Sequence, residues 1–104
     1  MDRHAARIAA LRSAVLETPG ASSPVERSAA EAGRPTGTAA DDYLGYVRGA
    51  SHRIVDADVD ALRGAGLAED AIFELTLAAA LGEATRRFDR AVAAVVSTPG
   101  AERG

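Results

Sequence analysis

Hydrophobic residues recur along this chain at helical spacing, and the pattern predicts five helices and no strand. Ile8, Leu11 and Val15, with Leu16 beside them, place a first helix over Arg3–Glu17, stopped by Thr18-Pro19-Gly20. Ser23-Pro24-Val25-Glu26 spells a helix start: a capping serine, proline at the first helical position and a glutamate that completes a capping box. That second helix ends near Ala32-Gly33. After a loop holding Pro35, Thr38 is read as the start of a third helix, with Asp41 and Asp42 at the positive end of its dipole. Its apolar positions are Tyr43, Leu44 and Val47. Gly45 and Gly49, four apart on one face, suit either a close helix–helix approach or a frayed turn. Asp56 is read as the cap of a fourth helix running to about Ala65, with Val59 and Leu62 facing inward and Gly66 as a left-handed stop.

The fifth helix, over 69–96, is the longest. Phe73, Leu77, Leu81, Ala84, Phe88, Ala91 and Val95 follow one another at steps of three or four and form one continuous stripe. Ile72, Leu75, Ala79 and Gly82 form a second stripe beside it. Between 71 and 81 only Glu74 and Thr76 are polar, so this part is expected to be buried on nearly all sides. Beyond Glu83, the residues Arg86, Arg87, Asp89 and Arg90 solvate one face. Segment 97–104 contains Pro99, Gly100 and Gly104 and is expected to be a disordered tail, leaving a single helical domain over 1–96.

Composition changes this picture in one respect. The chain is 47% hydrophobic but only 4% aromatic, and alanine supplies most of the apolar count. Alanine favours helices and fills little volume. At 104 residues the chain must pack its helices closely or find more core in a partner. The segment 71–81 is too apolar for four short, alanine-rich helices to cover. An oligomer interface is therefore expected on the fifth helix at Ile72, Phe73, Leu75, Leu77, Leu81 and Phe88.

Charge and residue types exclude several functions. The net charge is −3, and no basic face is spelled out, which argues against nucleic acid as a partner. With no cysteine there is no disulfide framework, zinc ribbon or thiol catalysis. No signal peptide and no membrane span is read, so a cytoplasmic location is expected. All 12 basic residues are arginine, in keeping with a high-GC, bacterial-like composition.

Candidate chemistry is sparse. His4 lies in a first turn, and His52 at the end of the third helix, where a cation is favourable. Asp56, Asp58 and Asp60 do not follow a calcium-loop pattern. Glu83 makes an (i, i+3) or (i, i+4) pair with Arg86 or Arg87, either on the surface or as part of a partly buried interfacial network. Gly64-Ala65-Gly66 lacks the strand and third glycine of a dinucleotide site. An acid–base enzyme would need His52 or Glu83 turned into a pocket, within one protomer or shared between two, with Arg86, Arg87 and Arg90 available to bind an anionic substrate. No metal or cofactor is called for.

One resemblance bears on function. Asp56, Asp58, Val59, Leu62, Gly66, Leu67, Glu69, Asp70, Ile72, Phe73, Glu74, Ala78, Ala79, Arg86 and Arg87 follow an order similar to the second half of the alkylhydroperoxidase-D/carboxymuconolactone-decarboxylase (AhpD-like) family. The likeness implies an all-α, oligomeric bundle of about five helices with a long C-terminal core helix. Catalytic members of that family carry a Cys-x-x-Cys pair with a nearby histidine, which this chain lacks. The resemblance therefore implies a non-catalytic subunit or interaction protein, assembling with itself or with a catalytic relative. The alternative it leaves is a non-thiol enzyme of decarboxylase-like or other acid–base chemistry.

Overall fold

A computed structural model of the chain describes residues 3–97. It holds five α-helices: α1 (Arg3–Glu17), α2 (Pro24–Ala32), α3 (Asp41–Gly49), α4 (Asp56–Gly64) and α5 (Glu69–Ser97). A single 3-10 turn, Ser51–Arg53, lies between α3 and α4, and no strand occurs among the described residues. Of the tail expected over 97–104, Ser97 closes α5 and the rest lies outside the described residues.

Local chemistry explains most of the helix ends. At α2, Ser23 Oγ accepts from the Glu26 amide at 3.0 Å, and the Glu26 carboxylate accepts from the Ser23 amide at 2.8 Å. This is the capping box legible in the sequence. Gly33 (φ 77°) and Gly66 (φ 97°) end α2 and α4 in left-handed conformations that glycine adopts without a Cβ penalty. At the latter end, Leu67 N–H donates to the Leu62 carbonyl at 3.1 Å.

Two helix starts differ from expectation. The third helix begins at Asp41, not Thr38. The Asp41 carboxylate reaches back to accept from the Thr36 amide, the Thr36 hydroxyl and the Gly37 amide, and so holds 36–40 as a turn. At α4, Asp56 is the first helical residue rather than the cap. It is Asp58 that reaches back, accepting from the Val55 amide at 2.9 Å. In both cases an acid inside the first turn replaces a cap in front of it.

The other four helices wrap one face of α5. Ile72, Leu75, Ala78, Ala79 and Gly82 are buried there against Leu16, Ala30, Ala40, Leu44 and Leu62. Val15, Tyr43, Val47, Val59 and Leu67 pack around them. The Tyr43 hydroxyl lies 2.9 Å from the Thr76 hydroxyl and ties α3 to α5. Helix α2 makes the most extensive contact with α5. The two backbones come close at Gly82, where a Cβ would run into the backbone carbonyl of Glu31. Of the two readings left open for Gly45 and Gly49, close helix–helix approach is not the one seen there; it occurs at Gly82. Nothing lies near the Cβ positions of Gly45 or Gly49.

This contrast gives a prediction. Gly82→Ala should destabilise the fold by about 1–3 kcal/mol, because overpacking outweighs the gain in helix propensity. Gly45→Ala, in open space on α3, should stabilise it by up to about 1 kcal/mol. Urea denaturation of the two variants beside wild type reads both signs.

The far end of α5 is its most exposed part. Every residue from 87 to 97 is exposed. At 1.5 Å per residue that is about 16 Å of exposed helix, tied to α3 at its start by the bond from Arg87 to the Arg48 carbonyl. The radius of gyration is 16.2 Å, against roughly 13 Å for a compact domain of this length.

Candidate functional site

An extended apolar feature lies on the outer side of α5. Helical geometry sets Phe73, Leu77, Ala80, Ala84, Phe88, Ala91 and Val95 within a band some 80° wide, opposite the buried face. All seven are exposed, Phe73 at 66% and Phe88 at 58%. Val92 and Val96 flank the distal part of the band and are exposed as well. Charged residues interrupt neither end. An apolar band running the length of a 29-residue helix exceeds the scattered exposed hydrophobics of an ordinary surface.

The six residues expected at an interface therefore divide. Ile72 and Leu75 are buried in the protomer's own core, at 4% and 1% exposure. They have no surface left to offer a partner. Leu81 is half-buried. Phe73, Leu77 and Phe88 lie on the outer band. The segment 71–81 is not buried on nearly all sides. One side packs on α1–α4, and the other faces solvent.

The polar candidates serve the fold. Glu83 binds three arginines, with Arg87 at 3.0 Å, Arg86 at 3.3 Å and Arg90 at 3.7 Å. Burial pushes its carboxyl pKa up, but the hydrogen bonds and charges of Arg86 and Arg87 outweigh this and hold it below the ordinary value. Arg86 donates to the Glu31 carbonyl at 2.7 Å, and Arg87 to the Arg48 carbonyl at 3.2 Å. Those carbonyls close the C-terminal ends of α2 and α3, where a cation is favoured. Glu83 thus orients two arginines that fasten neighbouring helices to α5. His52 is exposed in the 3-10 turn, next to Arg53, whose guanidinium lies 5.5 Å from the centre of the Tyr46 ring. Among the described residues Glu83 and Arg86 pair with each other, and no hydrogen bond or ion pair joins His52 to either. The side chain of His4 lies outside the described residues.

Asp56, Asp58 and Asp60 are also dispersed. Asp58 binds the Val55 amide, and Asp60 pairs with Arg63 at 2.9 Å. No group of three or more potential ligands that could hold a metal ion occurs among the described residues.

A second polar cluster was not evident from the sequence. Glu74 accepts from the Ser22 hydroxyl at 2.6 Å, the Ser22 amide at 2.8 Å and the Ala21 amide at 3.0 Å. It fixes the chain just before α2. Burial raises the Glu74 pKa, yet the bonds from Ser22 and Ala21 and the charge of Arg27 bring it below its ordinary value of 4.5. Arg27 itself is 2% exposed and donates to the Val15 carbonyl at 2.9 Å. Its Nε and Nη2, the edge that usually binds a carboxylate side-on, have no hydrogen-bond partner among the described residues. Arg27 and Glu74 border a shallow cavity of about 290 Å³ together with Phe73 and Leu77. Both nitrogens are closed to solvent, and the Glu74 carboxylate beside them repels anions, so the cavity is not a built anion site.

Two consequences follow for stability. Glu74→Ala removes three hydrogen bonds and leaves the amide and hydroxyl of buried Ser22 without their acceptor, which should cost about 1–3 kcal/mol. The folded pKa of Glu74 lies below its unfolded value. Its ionised form therefore stabilises the protein above about pH 4.5, and this contribution disappears as pH falls through the lower folded value. Thermal melts between pH 3 and pH 7 should show a steeper acid loss in wild type than in Glu74→Gln.

No protein-family model matches the chain, and no curated protein or solved structure matches it significantly. The fold and the surface define a class by themselves: a small, all-α, cysteine-free domain of five helices whose longest helix has one face in the core and one in solvent. Among the described residues no helix is long and apolar enough to cross a membrane.

Proposed function

We propose that this protein is a non-catalytic helical subunit of the cytoplasm, related in design to the AhpD-like proteins but without their redox cysteines, and that it works by assembling through the outer face of α5. The observation that carries this reading is the band Phe73–Leu77–Ala80–Ala84–Phe88–Ala91–Val95, exposed along the whole helix. Burying such a band is favourable at roughly 25 cal/mol per Å² of apolar surface. Arg27, Glu74, Glu83, Arg86 and Arg87, which could have served chemistry, are engaged in fastening helices to one another. The order of residues over 56–87 that resembles the AhpD-like family supports an oligomeric helical subunit in the same way. The partner is a second copy of this chain.

Association stabilises the folded state by mass action, so the melting temperature should rise with protein concentration. Melts over a hundredfold concentration range test the reading. A melting temperature independent of concentration, with reversible unfolding, contradicts it.

A further inference from the structure

The sizes of the residues on the α5 band settle how two copies fit, given the assembly reading above. We infer that the protein forms a two-fold symmetric dimer in which two α5 helices run antiparallel, crossing at Ala84.

Ala84 stands midway along the band, eleven residues from both Phe73 and Val95. A two-fold axis at Ala84 brings position 73 opposite 95, 77 opposite 91, and 80 opposite 88. Phe73 then meets Val95, Leu77 meets Ala91, and Ala80 meets Phe88, while Ala84 meets its own copy. A larger side chain thus faces a smaller one at every level but the centre, where two alanines permit the closest backbone approach. The gap between the helices stays even, as dense packing requires. A parallel, in-register pair would instead set Phe73 on Phe73, Leu77 on Leu77 and Phe88 on Phe88, with alanine on alanine between them. Wide and narrow levels would alternate, leaving voids beside the alanines.

The pitch of the band suits a long straight pair, and two further features favour the antiparallel one. From Phe73 to Val95 the band advances 22 residues in six steps, about 3.7 per turn, close to the 3.6 of a straight helix. It therefore runs nearly parallel to the helix axis, and two such bands stay in register over about 33 Å. Antiparallel helices also oppose their macrodipoles. Finally, Glu83 and Arg87 border the band on one side, and the same two-fold places Glu83 of one copy within one turn of Arg87 of the other. The projecting end of α5, residues 87–97, then lies along the proximal half of the partner's helix rather than in solvent.

The absence of cysteine allows a direct test. Single variants Phe73→Cys, Ala84→Cys and Val95→Cys are purified, checked for helix content by circular dichroism, and oxidised. Antiparallel pairing brings the two copies of position 84 together, so Ala84→Cys should cross-link with itself to near completion. Phe73→Cys and Val95→Cys should each stay at background alone and cross-link when mixed. Self-cross-linking of Val95→Cys at the level of Ala84→Cys would overturn the antiparallel arrangement. So would failure of Ala84→Cys to cross-link while light scattering shows a dimer, a result that leaves the assembly reading standing. A monomer by light scattering for the reduced variants and for wild type removes the assembly reading itself.

Discussion

Replacing Leu75 with alanine should cost about 3–5 kcal/mol of stability. Leu75 is 1% exposed and, with Leu44, is one of the two largest fully buried side chains among the described residues. The rest of the α5 core face is largely alanine and glycine, namely Ala71, Ala78, Ala79 and Gly82. These residues have no length with which to fill a hole. The site cannot collapse, and large-to-small changes at sites that cannot collapse lie at the upper end of their range. A domain of this size has only about 5–10 kcal/mol in total. Leu75→Ala should therefore shift the urea midpoint far more than any exposed substitution on α5. A change under 1 kcal/mol would show that the core is not where it is placed here.

Replacing Leu77 with glutamate, two residues further on, should have the opposite character. Leu77 lies on the outer band and is 42% exposed, so the protomer can hold a carboxylate there in contact with water. The monomer should keep its helix content. The dimer should not survive, because the two-fold would bury two unpaired carboxylates against Ala91 of each partner, at several kcal/mol apiece. The pair Leu75→Ala and Leu77→Glu thus separates folding from assembly. Size-exclusion chromatography with light scattering gives the mass, and circular dichroism gives the fold. An unfolded Leu77→Glu protein would mean that the outer band belongs to the protomer's own core.

The elements were legible in the sequence wherever a helix end is written in consecutive residues. Ser23-Pro24-Val25-Glu26 fixes the start of α2, and Gly66 fixes the stop of α4, because both devices act within one turn. The start of α3 was misplaced because Thr38 and Asp41 are both reasonable first-turn residues, and Asp41 binds backward to Thr36 and Gly37. The role of Glu74 was hidden for another reason. Its partners are the amides of Ala21 and Ser22, more than fifty residues away, and backbone donors leave no trace in residue identity.

The division of α5 was legible only in part. Both stripes share the helical period, so periodicity could not say which one faces inward. With only Glu74 and Thr76 polar between 71 and 81, both stripes read as buried, one in the protomer and one against a partner. What decides the matter is distance: α2 comes so close at Gly82 that a Cβ there would meet the Glu31 carbonyl, and Ala78 and Ala79 lie fully buried on the same face. Gly82 in the second stripe was the signal, since a mid-helix glycine costs about 1 kcal/mol and is tolerated where a backbone must approach.

Sedimentation equilibrium of the wild-type protein at micromolar concentration tests the central claim most directly. The protomer mass is 10.6 kDa. Self-association through the outer face of α5 predicts a dimer of twice that mass for wild type and a folded protomer for Leu77→Glu. A wild-type protein that sediments as a stable, folded 10.6 kDa monomer contradicts it.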